Sequence, residues 1–238
     1  MQKKEVCWNI TTKCNQNCKY CHRFLGINDL CYEENEKILD NLIKDGITDI
    51  TWTGGEALLY PNLIGLLKKA KENGINNKLI TNGLLLAKND EIKEICNYLD
   101  ALTLSIDSTD NEINAELGRG INHYQNIKTV LEYVKNTGLK LNINTVVSKK
   151  NIDQLEELGN FLNNYKINSW RVFQFMPLRE TAERNRNQFE ISDAEFESKK
   201  GIFQKFENIG RVDYRQEKDM EDKYVLLVAN GDIVKTEN

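Results

Sequence analysis

Only two of the 238 residues are proline and only two are histidine. So little proline excludes a Pro-rich linker, and no repeat or low-complexity run divides the chain. One domain is expected, with a β/α core over about residues 5–207 and an extension over about 208–238. No apolar run is long enough to cross a membrane, and the start, MQKKEVCWNI, lacks the apolar core of a signal peptide. A cytoplasmic protein without a membrane partner is the expectation. There is no excess of basic residues either: the net charge of −4 gives no electrostatic case for a nucleic-acid partner. Cysteine is sparse, six in all, yet three of the six crowd into TTKCNQNCKYCHRF at Cys14, Cys18 and Cys21.

What is present is an alternation of strand and helix patterns. Strand-like runs are VCWNI (6–10), ITDITWT (47–53), NNKLIT (76–81), ALTLSID (101–107), LKLNINTVV (139–147) and SWRVFQFMP (169–177). Helical patterns lie between them. EENEKILDNLIKDG, NLIGLLKKAKENG and YQNIKTVLEYVKNTG each end at a glycine stop, Gly46, Gly74 and Gly138. NIDQLEELGNFL follows the fifth strand, and ISDAEFESKKGIFQKF opens with Ser192 and Glu195 at capping-box spacing. This pattern predicts parallel strands covered by helices, either an open doubly wound sheet or a partial barrel. KYVLLVA and DIVKT, joined by NGD, predict a hairpin in the tail. The unusual polar stretches TGGE, TNG, SIDS, TVVS and QFMPLR all follow strands, where sites form in β/α folds.

The cysteine cluster has several readings. A disulfide would leave one thiol over and sits poorly in a reducing compartment. Structural zinc usually takes two close ligand pairs; here His22 adjoins Cys21, but the other histidine is His123 and no second C-x-x-C exists. Three buried small residues do not suit a stretch as polar as KCNQNCKYC. An iron–sulfur cluster fits best, because three thiolates can hold a cubane cluster and leave one iron open.

C-N-Q-N-C-K-Y-C resembles the C-x3-C-x2-C signature of the radical S-adenosylmethionine (SAM) superfamily, and TGGEALL resembles its GGE motif, with Ala57 where proline is common. The resemblance implies a partial (β/α)6 TIM-like barrel, here carrying the C-terminal hairpin. It implies one [4Fe–4S] cluster on Cys14, Cys18 and Cys21, and SAM on the open iron. Reductive cleavage of SAM would then give a radical that abstracts hydrogen from a substrate. A one-electron donor such as flavodoxin or ferredoxin would be a partner. Glu56 suits the SAM ammonium, and Gly54 and Gly55 permit close backbone approach.

YLDALTLSIDSTDNEINAELGRG, NHYQNI, LNINTVV and SWRVFQF extend the similarity, to the viperin branch and its molybdopterin-biosynthesis relatives. By that resemblance Asn82, Ser105 and Arg119 would contact SAM, and Tyr20 would lie near its adenine. Tyr224, in EDKYVLL, would be the catalytic tyrosine. Asn144, Arg171 and Gln174 are the substrate-side residues. The substrate would be a small molecule, a nucleotide converted to a 3′-deoxy-3′,4′-didehydro product. Asp49, Asn142 and Ser169 stand where basic, phosphate-holding residues align in viperins; Arg171 alone stays basic. Arg179, Arg184 and Arg186 follow in the next loop. No cysteine follows Cys96, so one cluster is expected. Two other functions stand beside this one: radical modification of a peptide or other metabolite, and a non-catalytic zinc-binding module.

Overall fold

The computed structural model describes residues 4–219 and 225–234. Its strands are β1 (Glu5–Thr11), β2 (Asp49–Gly54), β3 (Asn76–Thr81), β4 (Ala101–Ser105), β5 (Lys140–Val147), β6 (Ser169–Gln174), β7 (Val212–Arg215), β8 (Val225–Leu227) and β9 (Ile233–Val234). They form one sheet in the order β7-β6-β5-β4-β3-β2-β1-β8-β9. Every neighbouring pair is parallel except β8–β9. Among the described residues β7 and β9 are free edges, so the sheet curves as a partial barrel and does not close.

Residue alternation decides which way each strand faces. In β1, Val6, Trp8 and Ile10 are at most 2% exposed and pack beneath the helices. Cys7 and Asn9 point the other way and line an inner chamber. Ile50 and Trp52 repeat the scheme in β2, and Trp52 stacks on Trp8 with ring centroids 5.0 Å apart. The covering helices include Tyr32–Lys44, Leu63–Glu72, His123–Val134 and Leu155–Leu162. The stop glycines Gly46, Gly74 and Gly138 all have left-handed backbone, with φ of +70°, +78° and +73°.

Four details differ from the sequence reading. β7 was not anticipated; it extends the sheet beyond β6, so the tail joins both flanks of the sheet. β4 ends at Ser105, two residues early, because the Asp107 carboxylate takes over a ladder donor: Val146 N–H donates to Asp107 Oδ1 at 2.8 Å. β6 ends at Gln174, and Pro177 then has no N–H with which to continue pairing. The Ser192–Glu195 capping box is present, but its helix runs only over Asp193–Ser198 and passes into a 3-10 turn at Lys200–Lys205. The tail hairpin is there, with Leu226 opposite Val234 and Leu227 opposite Ile233.

Candidate functional site

A chamber of about 630 Å³ opens at the C-terminal ends of the inner strands. That volume suits a small molecule or cofactor. Cys14, Cys18 and Cys21 all line it. Their loop leaves β1 at Thr11 and is clamped on both sides by backbone. On one side Gly55 N–H donates to Thr11 O and Glu56 N–H donates to Lys13 O, each at 2.8 Å. A Cβ on Gly54 would stand 2.3 Å from Thr11 O, and one on Gly55 would stand 2.2 Å from Lys13 O. On the other side Asn17 N–H donates to Gly118 O at 3.1 Å and Lys19 N–H to Leu117 O at 3.0 Å. A Cβ on Gly118 would lie 2.1 Å from Asn17 O. The close neighbour that these glycines admit is therefore the cysteine loop itself.

The loop after β6 adds a third hold. His22 Nε2 and Met176 O are 2.7 Å apart, and Arg179 Nη1 donates to His22 O at 2.8 Å. The Arg179 guanidinium also covers the Phe24 ring, 3.4 Å from its centroid. Arg184 and Arg186, by contrast, bond locally to Glu180 O and to Glu183.

Behind the chamber wall a polar chain runs from the cysteine loop to the end of β4. Tyr20 Oη and Arg119 Nε both donate to the Asp107 carboxylate, which is fully buried. Arg119 Nη1 donates to Gln16 Oε1 at 3.2 Å. Gln16 Nε2 in turn donates to Arg119 O at 3.0 Å and faces His123 Nδ1 at 3.1 Å. That donor fixes Nδ1 as the acceptor, so His123 Nε2 carries the proton and donates to Ser105 O at 2.8 Å. Burial, reinforced by the Arg119 charge, lowers the His123 pKa to about 3, so the ring stays neutral.

Glu56 is 2% exposed. Its carboxylate accepts from Thr81 Oγ1 and Asn82 N–H, each at 2.8 Å, and from Leu58 N–H at 3.3 Å. Burial still raises its pKa above the ordinary range, against the pull of these donors. A buried carboxylate of this kind suits a cationic ligand. Asn82 spends its side chain on the loop and the next turn: Nδ2 donates to Asn15 Oδ1 at 2.7 Å, and Oδ1 accepts from Leu84 N–H at 3.0 Å.

The chamber wall thus gathers Tyr20, Gly54, Gly55, Glu56, Asn82, Ser105 and Arg119 with the three cysteines. Asn144 and Gln174 line it too. Among the described residues the Asn144 Oδ1 atom is buried without a hydrogen-bond partner. The Gln174 side chain is occupied within the protein: Nε2 donates to Ile191 O and Asp193 Oδ1, and Oε1 accepts from Gln216, each at 3.0 Å. Arg171 sits on β6 below the lining residues. Tyr224 lies outside the described residues. Asp107, Gln16 and His123 escaped the sequence reading. Only Asp107 had a signal there, as an acid in a polar stretch directly after a strand.

The sequence profile of the radical SAM superfamily matches residues 8–162. The chain belongs to the radical SAM superfamily, in its viperin-like branch. It is 35% identical over 207 residues to an S-adenosylmethionine-dependent nucleotide dehydratase of Flammeovirga pacifica, covering 80% of this chain and 69% of that one. A second such dehydratase, from Lacinutrix mariniflava, is 31% identical over 204 residues, covering 80% of this chain but 42% of its relative. Among solved structures, Streptococcus suis SuiB bound to its precursor peptide SuiA superposes with a TM-score of 0.74 at 21% identity. That match covers 98% of this chain and 59% of SuiB, so this chain spans less than two thirds of its structural neighbour. The likeness to SuiB shows a shared fold.

Radical SAM enzymes use a [4Fe–4S] cluster and SAM, and the residues present fit both. Among the described residues no three His, Cys, Asp or Glu side chains converge on a single ion position. The three thiols instead line the chamber around a shared space, as ligands of different irons do. Burial raises the pKa of each, so bound iron is what would hold them as thiolates. Glu56 offers the buried carboxylate that an ammonium group needs.

Proposed function

We propose that this chain is a viperin-like radical SAM enzyme that abstracts hydrogen from a nucleotide and forms a 3′-deoxy-3′,4′-didehydro product. The observation that supports it most is the placement of the three-thiol loop and the Glu56 carboxylate on one wall of one chamber. When bound there, the cluster and SAM supply one-electron reductive cleavage and a carbon radical that takes hydrogen from the substrate. Cys14, Cys18 and Cys21 would hold the cluster. Glu56 would accept the SAM ammonium, and Gly54 and Gly55 keep it against the cysteine loop. Arg119, held by Asp107 and Gln16, would face the SAM carboxylate, with Tyr20 beside the adenine. Asn82 and Ser105 complete that SAM side. Asn144, Arg171 and Gln174 would form the substrate side.

Tyr224 is the proposed hydrogen-atom donor to the substrate radical; its support is the resemblance of EDKYVLL. The electron comes from a flavodoxin- or ferredoxin-type donor. No helix among the described residues is long and apolar enough to cross a membrane. The test is anaerobic turnover with sugar-deuterated nucleotides, following deuterium into 5′-deoxyadenosine. Transfer from a nucleotide is expected. Transfer from a labelled peptide or another metabolite, with none from any nucleotide, would replace this substrate reading.

A further inference from the structure

The chamber has two unlike walls. On β1, β2 and β4 the lining residues Asn9, Thr53 and Ser105 bring amide or hydroxyl groups, beside Glu56 and Arg119. On β5, β6 and β8 they are Val146, Phe173 and Leu226, with Met176 just past β6. Val146 and Phe173 are direct partners in the β5–β6 register, so they share one apolar surface.

The strand charges lie elsewhere. Arg171 stands opposite Asp213 in the β6–β7 register, where the two charges attract, and it does not line the chamber. Lys78 Nζ lies 2.8 Å from Glu5 Oε1 and 3.0 Å from Asp49 Oδ1. Ser169 Oγ donates to Asn142 Oδ1 at 2.8 Å. None of these five residues lines the chamber either. Arg179 and Glu217, the charged lining residues on the apolar side, come from segments beyond the strand ends.

Phe173 is half-buried. Among the described residues no second aromatic ring and no cation stacks on it, whereas Trp8, Trp170 and Phe175 each have a ring partner. An aromatic ring open to a chamber suits a planar group, because stacking removes apolar area from water on both partners. A phosphate against the same wall would lose its water and gain no donor.

We propose that Phe173 is the platform on which the base of the substrate stacks, so that the base, not the phosphates, occupies the β5–β6 wall. This rests on the nucleotide reading above. It places the sugar between the base and the cofactor wall, where hydrogen would be taken.

The test is calorimetry on anaerobic, cluster-loaded protein saturated with SAM. Mono- and triphosphates of the four common ribonucleosides are titrated, with ribose 5-phosphate and inorganic triphosphate as base-free probes. In the wild type each base-free probe should bind at least about tenfold more weakly than the best nucleotide of the same phosphate count. Equal affinities would overturn the inference, whether or not any variant folds. Phe173→Leu keeps apolar bulk and removes the ring, so the nucleotide Kd should rise about tenfold. Phe173→Tyr keeps the ring and should stay within about threefold of wild type. SAM affinity and the weak binding of the base-free probes should not move in either variant. Unchanged nucleotide affinity in a SAM-binding Phe173→Leu would overturn the stacking role and leave the nucleotide reading standing. Equal losses for nucleotide and base-free probes would also overturn it, since the ring would then only shape the barrel. No binding of any nucleotide by wild type, with SAM still bound, would remove the nucleotide reading and this inference with it.

Discussion

The rim of the chamber and its floor are built on different principles. At the rim, backbone touches backbone: Gly54, Gly55 and Gly118 let the cysteine loop sit where a Cβ would collide with a carbonyl oxygen. At the floor, side chains reach across strands, and Glu5, Asp49 and Lys78 meet because residues of like parity face inward. The rim therefore has little freedom and suits a cofactor of fixed shape. The floor can be re-written one side chain at a time, which suits a substrate preference that differs between relatives.

Breaking the rim should cost most. Gly118→Ala puts a Cβ 2.1 Å from Asn17 O at a position with φ +85°. The clash alone should destabilise by about 1–3 kcal/mol, and iron loading should fall sharply while circular dichroism stays native. Retained iron after anaerobic reconstitution would show that the loop does not need this clamp. Glu5→Gln, at the floor, should leave iron loading at the wild-type value.

A smaller effect is expected from Glu56→Gln. It keeps the shape and removes the charge, so SAM affinity should fall by about 1.5–3 kcal/mol, roughly ten- to hundredfold in Kd. The pH dependence sharpens this. The Glu56 pKa is raised above its ordinary 4.5, so acid protonates it in the empty site first. SAM affinity should therefore drop as pH falls through that raised pKa, and Glu56→Gln should flatten the drop. Affinity without that dependence in the wild type would argue that Glu56 only caps its turn.

The smallest effect belongs to His123. Its pKa is lowered to about 3, so the unfolded chain takes up a proton first as pH falls. Folding stability should decline by about 1 kcal/mol between about pH 6.5 and about pH 5.5 from this residue. Chemical denaturation of His123→Asn against wild type across that window checks it; parallel curves would mean that His123 is not buried neutral.

The β/α order was legible because the strand runs carry regularly spaced apolar residues and three of the covering helices close on a glycine. β7 was not, since RVDYR alternates charge with only Val212 and Tyr214 for an apolar side. The cluster motif and GGE were legible because they are local in sequence. The polar chain behind them was not: Gln16 and His123 stand 107 residues apart and meet only when the loop folds over β4. The same holds for Tyr20 and Asp107. Cys31 shows a third case, a free cysteine whose backbone N–H is capped by Glu34 at a helix start.

The central claim is that the rim holds a cluster. Iron and zinc analysis of anaerobically reconstituted protein tests it most directly. Wild type, and a Cys7→Ala, Cys31→Ala, Cys96→Ala variant, should each bind about four irons per chain. The Cys14→Ala, Cys18→Ala, Cys21→Ala variant should bind none. Zinc in place of iron in the wild type, or full iron in the second variant, would contradict it.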